Sequence, residues 1–149
     1  MMAPELTLAA ADAEDLEIIS ARLQDAVAQV KDLVWLPKSR RFAALFNRFK
    51  WETAEAKRGK GENLRVRAGL YFDGVLSAKS FRLKRDPDAV ASLLAITFTP
   101  KAADDPAGTI ELLFAGGGAI KLDVECIDAG LTDVSGEWAA RGRPMHEET

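Results

Sequence analysis

The clearest periodicity in the chain runs from Leu64 to Phe72, where Leu64, Val66, Ala68, Leu70 and Phe72 alternate with Arg65, Arg67, Gly69 and Tyr71. A period of two sends alternate side chains to opposite faces, so this segment predicts a half-buried strand. Asp73-Gly74 follows, a pair suited to a tight type I′ reversal, and Val75 to Leu83 then predicts the returning strand of a hairpin. Ile110, Leu112 and Phe114 form a second alternating set. Across Gly116-Gly117-Gly118 they face Ile120, Leu122, Val124 and Cys126, which predicts another hairpin with Cys126 as a small buried hydrophobe on the inward parity. Between the two hairpins, Asp86-Pro87 predicts a single capped helical turn. Leu94, Ile96 and Phe98 then read as a strand ended by Pro100, and Lys101 to Gly108 as a loop.

Toward the N-terminus the period changes. Glu5 to Ala10 reads as a short strand. Asp12 is a good N-cap, Glu14 and Asp15 suit the positive end of a helix dipole, and Leu16, Ile19 and Leu23 recur at helical spacing, so a helix is expected from Ala13 to Leu23. Trp35-Leu36, the turn Pro37-Lys38-Ser39-Arg40 and the run Arg41 to Phe46 predict a third hairpin. Its second arm has apolar residues on both faces and is expected to be central, with Asn47 as a bulge. Thr53 to Glu62, with Gly59 and Gly61, reads as a loop; Ser135 reads as the cap of a last turn holding Trp138. The fold class is therefore α+β and mostly β, with one N-terminal helix. Its antiparallel sheet has seven to eight strands and is curled as a roll, sandwich or partly open barrel. Parallel α/β is disfavoured because the gaps between strands leave no room for several crossover helices.

Composition narrows the function classes. The 149 residues suit one core, read as a single domain over 1–140 with a flexible tail at 141–149. The N-terminus lacks the charged and apolar regions of an export signal, and no apolar run reaches the roughly 18 residues of a membrane helix, so no membrane association is expected. A single cysteine fits a reducing compartment, read as the cytoplasm. With one cysteine and one histidine, His146 in the tail, the chain offers neither a zinc ligand set nor a nucleophile with its base. The triple glycine joins two strands and lacks the strand-to-helix setting of a phosphate loop. No catalytic residue, metal ligand or cofactor site is assigned.

Charge placement is the feature that bears on function. Residues 31–85 hold 15 Lys or Arg against 5 Asp or Glu, whereas residues 1–30 hold 1 against 6 and residues 86–149 hold 4 against 12. Within the basic stretch Trp35, Arg40, Arg41, Arg48, Lys50 and Trp51 interleave positive charge with aromatic rings, a combination that grips phosphates and stacks on bases. These six form the candidate anion or partner site. Against that reading, the net charge is −3, and strands from the basic middle can lie beside acidic strands and neutralise them.

Trp35-Leu36-Pro37 with Arg40-Arg41-Phe42, the segment Asn47-Arg48-Phe49-Lys50-Trp51-Glu52, and Phe114 to Ile120 through Val124 to Ile127 together resemble an uncharacterised bacterial family, domain of unknown function 2948. The likeness runs from about Leu6 to Trp138 and implies no known activity and no catalytic residue. Three functional expectations follow. The first is a non-catalytic binding or accessory module that docks a protein partner, or a second copy of itself, on an exposed sheet edge or an apolar patch near the aromatic hairpin. The second is an anion-binding surface for nucleic acid or a phosphorylated ligand; the third is an enzyme using Glu52, Asp73 or Glu125 as acid or base.

Overall fold

The computed structural model describes residues 6–49 and 65–134. Ten strands run through them in chain order: β1 Thr7–Ala10, β2 Val27–Gln29, β3 Leu33–Leu36, β4 Arg41–Phe49, β5 Arg65–Asp73, β6 Val75–Phe81, β7 Val90–Pro100, β8 Gly108–Phe114, β9 Ala119–Val124 and β10 Ala129–Asp133. One helix, α1, spans Ala13–Arg22. Every pairing is antiparallel, in the order β1-β10-β5-β4-β2-β7-β8-β9-β6, with β3 also paired to β4. Among the described residues the fold is one curled, unclosed sheet with a single α-helix, as the periodicities predict, and the strand count is ten instead of seven to eight.

The helix forms where its signals lie. The Asp12 carboxylate accepts the Asp15 N–H at 2.8 Å, satisfying one of the donors that a first turn leaves open. Leu16, Ile19 and Leu23 are buried against the sheet, in a core shared with Phe42, Phe46, Leu70, Phe72, Leu93, Ile110, Leu112, Leu122 and Leu131. Two of the three predicted hairpins form. Leu36 pairs with Arg41 and Trp35 with Phe42 across a short 3-10 turn at Pro37–Ser39; Leu112 pairs with Ile120 and Ile110 with Leu122 across the glycines. Strand β4 is central, with β5 along one edge and β2 and β3 sharing the other.

The hairpin expected at Asp73-Gly74 does not form. Strand β5 pairs with β4 and β10, while β6 pairs with β9 at the far end of the sheet. A type I′ reversal needs positive φ at both central residues, and here only Gly74 has it, at 70°. The chain turns a corner instead of returning on itself. Three backbone bonds fix that corner: Asp73 N–H to the Asp128 carbonyl, Val75 N–H to the Arg40 carbonyl, and Glu125 N–H to the Gly74 carbonyl. The sheet thus curls until its last strand meets β5 end to end, joined by covalent continuity where a closed barrel would have a ladder.

Smaller corrections have equally local causes. A bulge between Leu93 and Ala95 shifts parity in β7, so Leu93 and Ile96 are buried and Leu94 is exposed; the Ser20 hydroxyl accepts the Ile96 N–H at 2.9 Å beside it. Asn47 is not a bulge, since β4 and β5 pair in unbroken register from Arg41 to Phe49. Asp86-Pro87 forms a tight turn in which the Asp86 carboxylate accepts the Asp88 N–H, with no helical turn. Cys126 is exposed: β9 ends at Val124, the bend at Glu125 and Cys126 resets parity, and Ile127 takes the inward place.

Candidate functional site

The aromatic hairpin and the basic stretch meet at the seam where the curled sheet stays open. Strand β6 touches the β3–β4 hairpin at its start, through Val75 and Arg40, and then diverges from it. The divergence opens a cleft of about 550 Å³. Val30, Leu33, Trp35 and Phe42 form one wall, and Ala78, Lys79 and Ser80 the other. The segment Arg82-Leu83-Lys84-Arg85 forms the mouth, and Ile120 contributes to the floor. Clefts of about 300–1,000 Å³ with apolar walls and a few charged groups are the usual form of ligand sites.

The segment after β6 is held over the glycine turn. Arg82 adopts a left-handed conformation, φ 56°, uncommon for a residue with a side chain. A methyl group at Gly118 would sit 2.9 Å from Leu83 Cδ2 and 3.3 Å from the Arg82 carbonyl, and one at Gly117 would sit 3.6 Å from Arg82 Nη1. The turn therefore does more than reverse the chain: its missing side chains let residues 82 and 83 lie against it, which sets where the cations of the mouth project.

Only part of the six-residue candidate site assembles here. Trp35 does line the cleft, half-buried against the core. Arg40 and Arg41 lie on the outer side of the Gly74 corner, and both are matched. Arg40 Nη1 donates to Glu125 Oε2 at 2.9 Å. Arg41 forms a two-pronged pair with Asp73, Nε to Oδ1 at 2.7 Å and Nη2 to Oδ2 at 3.0 Å, and lies over the Tyr71 ring, 4.6 Å from its centroid. Arg48 is not on the surface at all. Its side chain is 0% exposed and pairs with the Asp133 carboxylate, 4% exposed, through Nε at 2.8 Å and Nη2 at 2.7 Å. Lys50 and Trp51, like Glu52, lie outside the described residues.

Parity could have placed Arg48. Phe42, Ala44 and Phe46 are the inward set of β4, and Arg48 is the next member of it. The four cations of the cleft, Lys79, Arg82, Lys84 and Arg85, lie within the basic stretch but away from the Trp35–Trp51 segment. They are exposed, and among the described residues no carboxylate lies within ion-pair distance of them, whereas Lys31, Arg40, Arg41, Arg48 and Lys121 each have an acidic partner. Dispersal by pairing thus accounts for Arg40 and Arg41 of the hairpin and leaves the cleft group unmatched.

Of the carboxylates offered as acid or base, Asp73 is paired with Arg41 and Glu125 with Arg40, while Glu52 lies outside the described residues. The Arg41 guanidinium holds the Asp73 carboxyl below its ordinary value near 3.8, chiefly by hydrogen bonding, against a smaller opposing effect of desolvation. A general acid or base needs a shift toward neutrality, the opposite direction. A pKa lowered in the folded state means that Asp73 favours folding above its unfolded value, and that this contribution disappears as pH falls through the lower folded one. Asp73→Asn should therefore show a shallower loss of stability than the parent below about pH 4, read from urea unfolding midpoints between pH 5 and pH 2. Unchanged steepness would assign the acid limb to other carboxylates. Among the described residues no group of three or more His, Cys, Asp or Glu is placed to hold a metal ion, and no helix is long and apolar enough to cross a membrane.

An open antiparallel roll with a cation-lined, apolar-floored cleft at its seam defines a β-rich domain built around a groove. The family model for the protein of unknown function DUF2948 matches residues 6–146, nearly the whole chain, and the chain belongs to that family. No curated protein and no solved structure matches it.

Proposed function

We propose that this protein is a non-catalytic binding module that takes an anionic ligand in the seam cleft. One arrangement supports the reading: Lys79, Arg82, Lys84 and Arg85 gather at the mouth of an apolar cleft without acidic partners among the described residues. Like charges held together repel one another, and a bound anion relieves that repulsion while the apolar wall of Val30, Leu33 and Trp35 accepts whatever carbon skeleton carries it. The site is thereby moved from the hairpin turn, where Arg40 and Arg41 already have partners, to the end of β6. The exposed, unbridged thiol of Cys126 suits a reducing compartment, and we place the protein in the cytoplasm on that basis.

The full chain should be retained on heparin at low salt, with affinity falling steeply as salt rises. Arg82→Glu with Arg85→Glu should weaken binding at least tenfold, and Arg40→Glu with Arg41→Glu should weaken it less, because those two cations are already engaged. No retention at low salt, or a greater loss from the hairpin pair than from the cleft pair, would overturn the proposal.

A further inference from the structure

We infer that the anion is borne by a protein: an extended acidic segment of a partner adds itself as a strand along the free edge of β6. The inference rests on the reading of the seam as an anion site and names its occupant. Ala78, Lys79 and Ser80 are consecutive, yet all three line the cleft. A strand shows only alternate side chains to either face, so three neighbours in a row mean that β6 meets the cleft edge-on, with its backbone. Strand β6 ends the sheet. Its pairing with β9, Val75 to Val124 through Phe81 to Ala119, occupies one edge, and at the other edge, among the described residues, the backbone bond is that of the Val75 N–H to the Arg40 carbonyl, after which the strands part. In an antiparallel strand the groups not bonded to the partner point away from it, so alternate N–H and C=O groups beyond Val75 face the opening.

A peptide is the ligand that uses both halves of this site. Its backbone completes the β6 ladder. Acidic side chains along it reach Lys79 within the strand and Arg82, Lys84 and Arg85 beyond its end, while apolar side chains of the opposite parity meet Leu33, Trp35 and Ile120. Leu76 and Phe81, 47% and 43% exposed, give apolar contact at the two ends of the strand. Nucleic acid fits less well: the aromatic rings that line the cleft are Trp35, half-buried against the core, and Phe42, which is buried, and the chain as a whole carries a net charge of −3. A second copy of this chain fits less well too, because β6, Val-Leu-Ser-Ala-Lys-Ser-Phe, contains no Asp or Glu, so pairing it with another β6 brings no carboxylate of the added strand to these cations.

The probe is a synthetic heptapeptide alternating glutamate and valine, with two versions N-methylated on one or the other set of alternate amides, and heparin and a single-stranded oligonucleotide as competing polyanions. The parent peptide should bind the full chain and slow hydrogen exchange at amides of Leu76 to Phe81. One N-methylated version, the one blocking the amides that face β6, should bind at least tenfold more weakly than the other. Loss of binding in Arg82→Glu with Arg85→Glu should accompany both effects. If heparin binds and the peptide does not, or if both methylated peptides bind equally and β6 amides stay unprotected, strand addition is wrong and the anion site stands. Tighter binding of the oligonucleotide than of the peptide would also overturn the inference, in favour of nucleic acid. If no polyanion binds at all, the reading of the cleft itself fails.

Discussion

Replacing Arg48 by methionine is expected to cost about 3–5 kcal/mol, because it strands the Asp133 carboxylate without its partner in the interior. The two side chains are the most deeply buried charges among the described residues, at 0% and 4% exposure. Their attachment is thorough: two parallel bonds join guanidinium and carboxylate, Arg48 Nη1 also donates to the Phe49 carbonyl at 3.1 Å, and Asp133 Oδ2 also accepts the Leu6 N–H at 3.2 Å. Asp133→Leu alone should cost a similar amount, since the guanidinium would then be the uncompensated charge. The two substitutions together should recover most of the loss, as a buried pair exchanged for apolar groups is often close to neutral. Recovery should stop about 1 kcal/mol short, because the Leu6 N–H and Phe49 carbonyl lose a bond each. Urea unfolding of the four proteins closes the cycle. Additive losses in the double variant would show that the pair is not a unit.

Gly108→Ala is expected to cost about 3 kcal/mol, at the upper end for overpacking, although alanine is the smallest possible addition. Gly108 opens β8 and is paired on both sides, with Pro100 and with Val124. The Phe98 ring lies across it, 2.7 Å from where a methyl group would stand, and the Thr99 carbonyl oxygen is closer still. A side chain can swing aside, but a carbonyl locked between strands moves only by distorting the ladder. Gly116→Ala is the comparison: nothing lies within 4 Å of the added methyl, and the cost should be about 1–2 kcal/mol from the positive φ of 87° alone. A midpoint shift for Gly108→Ala no larger than for Gly116→Ala would mean that the β7–β8 ladder yields easily.

What the sequence made legible follows from how local each signal was. The helix, the aromatic hairpin and the β8–β9 hairpin are written in residues a few positions apart, and they stand where the periodicities put them. The strands it hid are those whose reasons lie elsewhere in the chain. Strand β2 has three residues, too few for a period, yet its pairs with β4 and β7 join the two halves of the sheet. Strand β10, Ala-Gly-Leu-Thr-Asp, is poor in strand formers; it is extended because β1 and β5 flank it, and Gly130 leaves room for the Tyr71 ring on the neighbouring strand. Without β10 in view, Asp133 could not be matched to Arg48, and a buried cation read as a surface one. The Gly74 corner misled for the opposite reason, since its two residues match a reversal whose backbone angles only one of them adopts. The cleft cations were visible as charges, but the space they border is made by strands far apart in sequence, β3 with Trp35 and β6 with Ala78.

The pairing of the first strand with the last also has a consequence for biogenesis. Leu6 and Asp133 bond across a separation of 127 residues, and β1 has no ladder other than β10. A nascent chain emerging from the ribosome must carry its opening strand unpaired until nearly all of the described residues have been made, and Arg48 must wait as long for its carboxylate. Assembly of the two ends is therefore a late, long-range event, of the kind that slows β-rich chains and leaves them open to premature association.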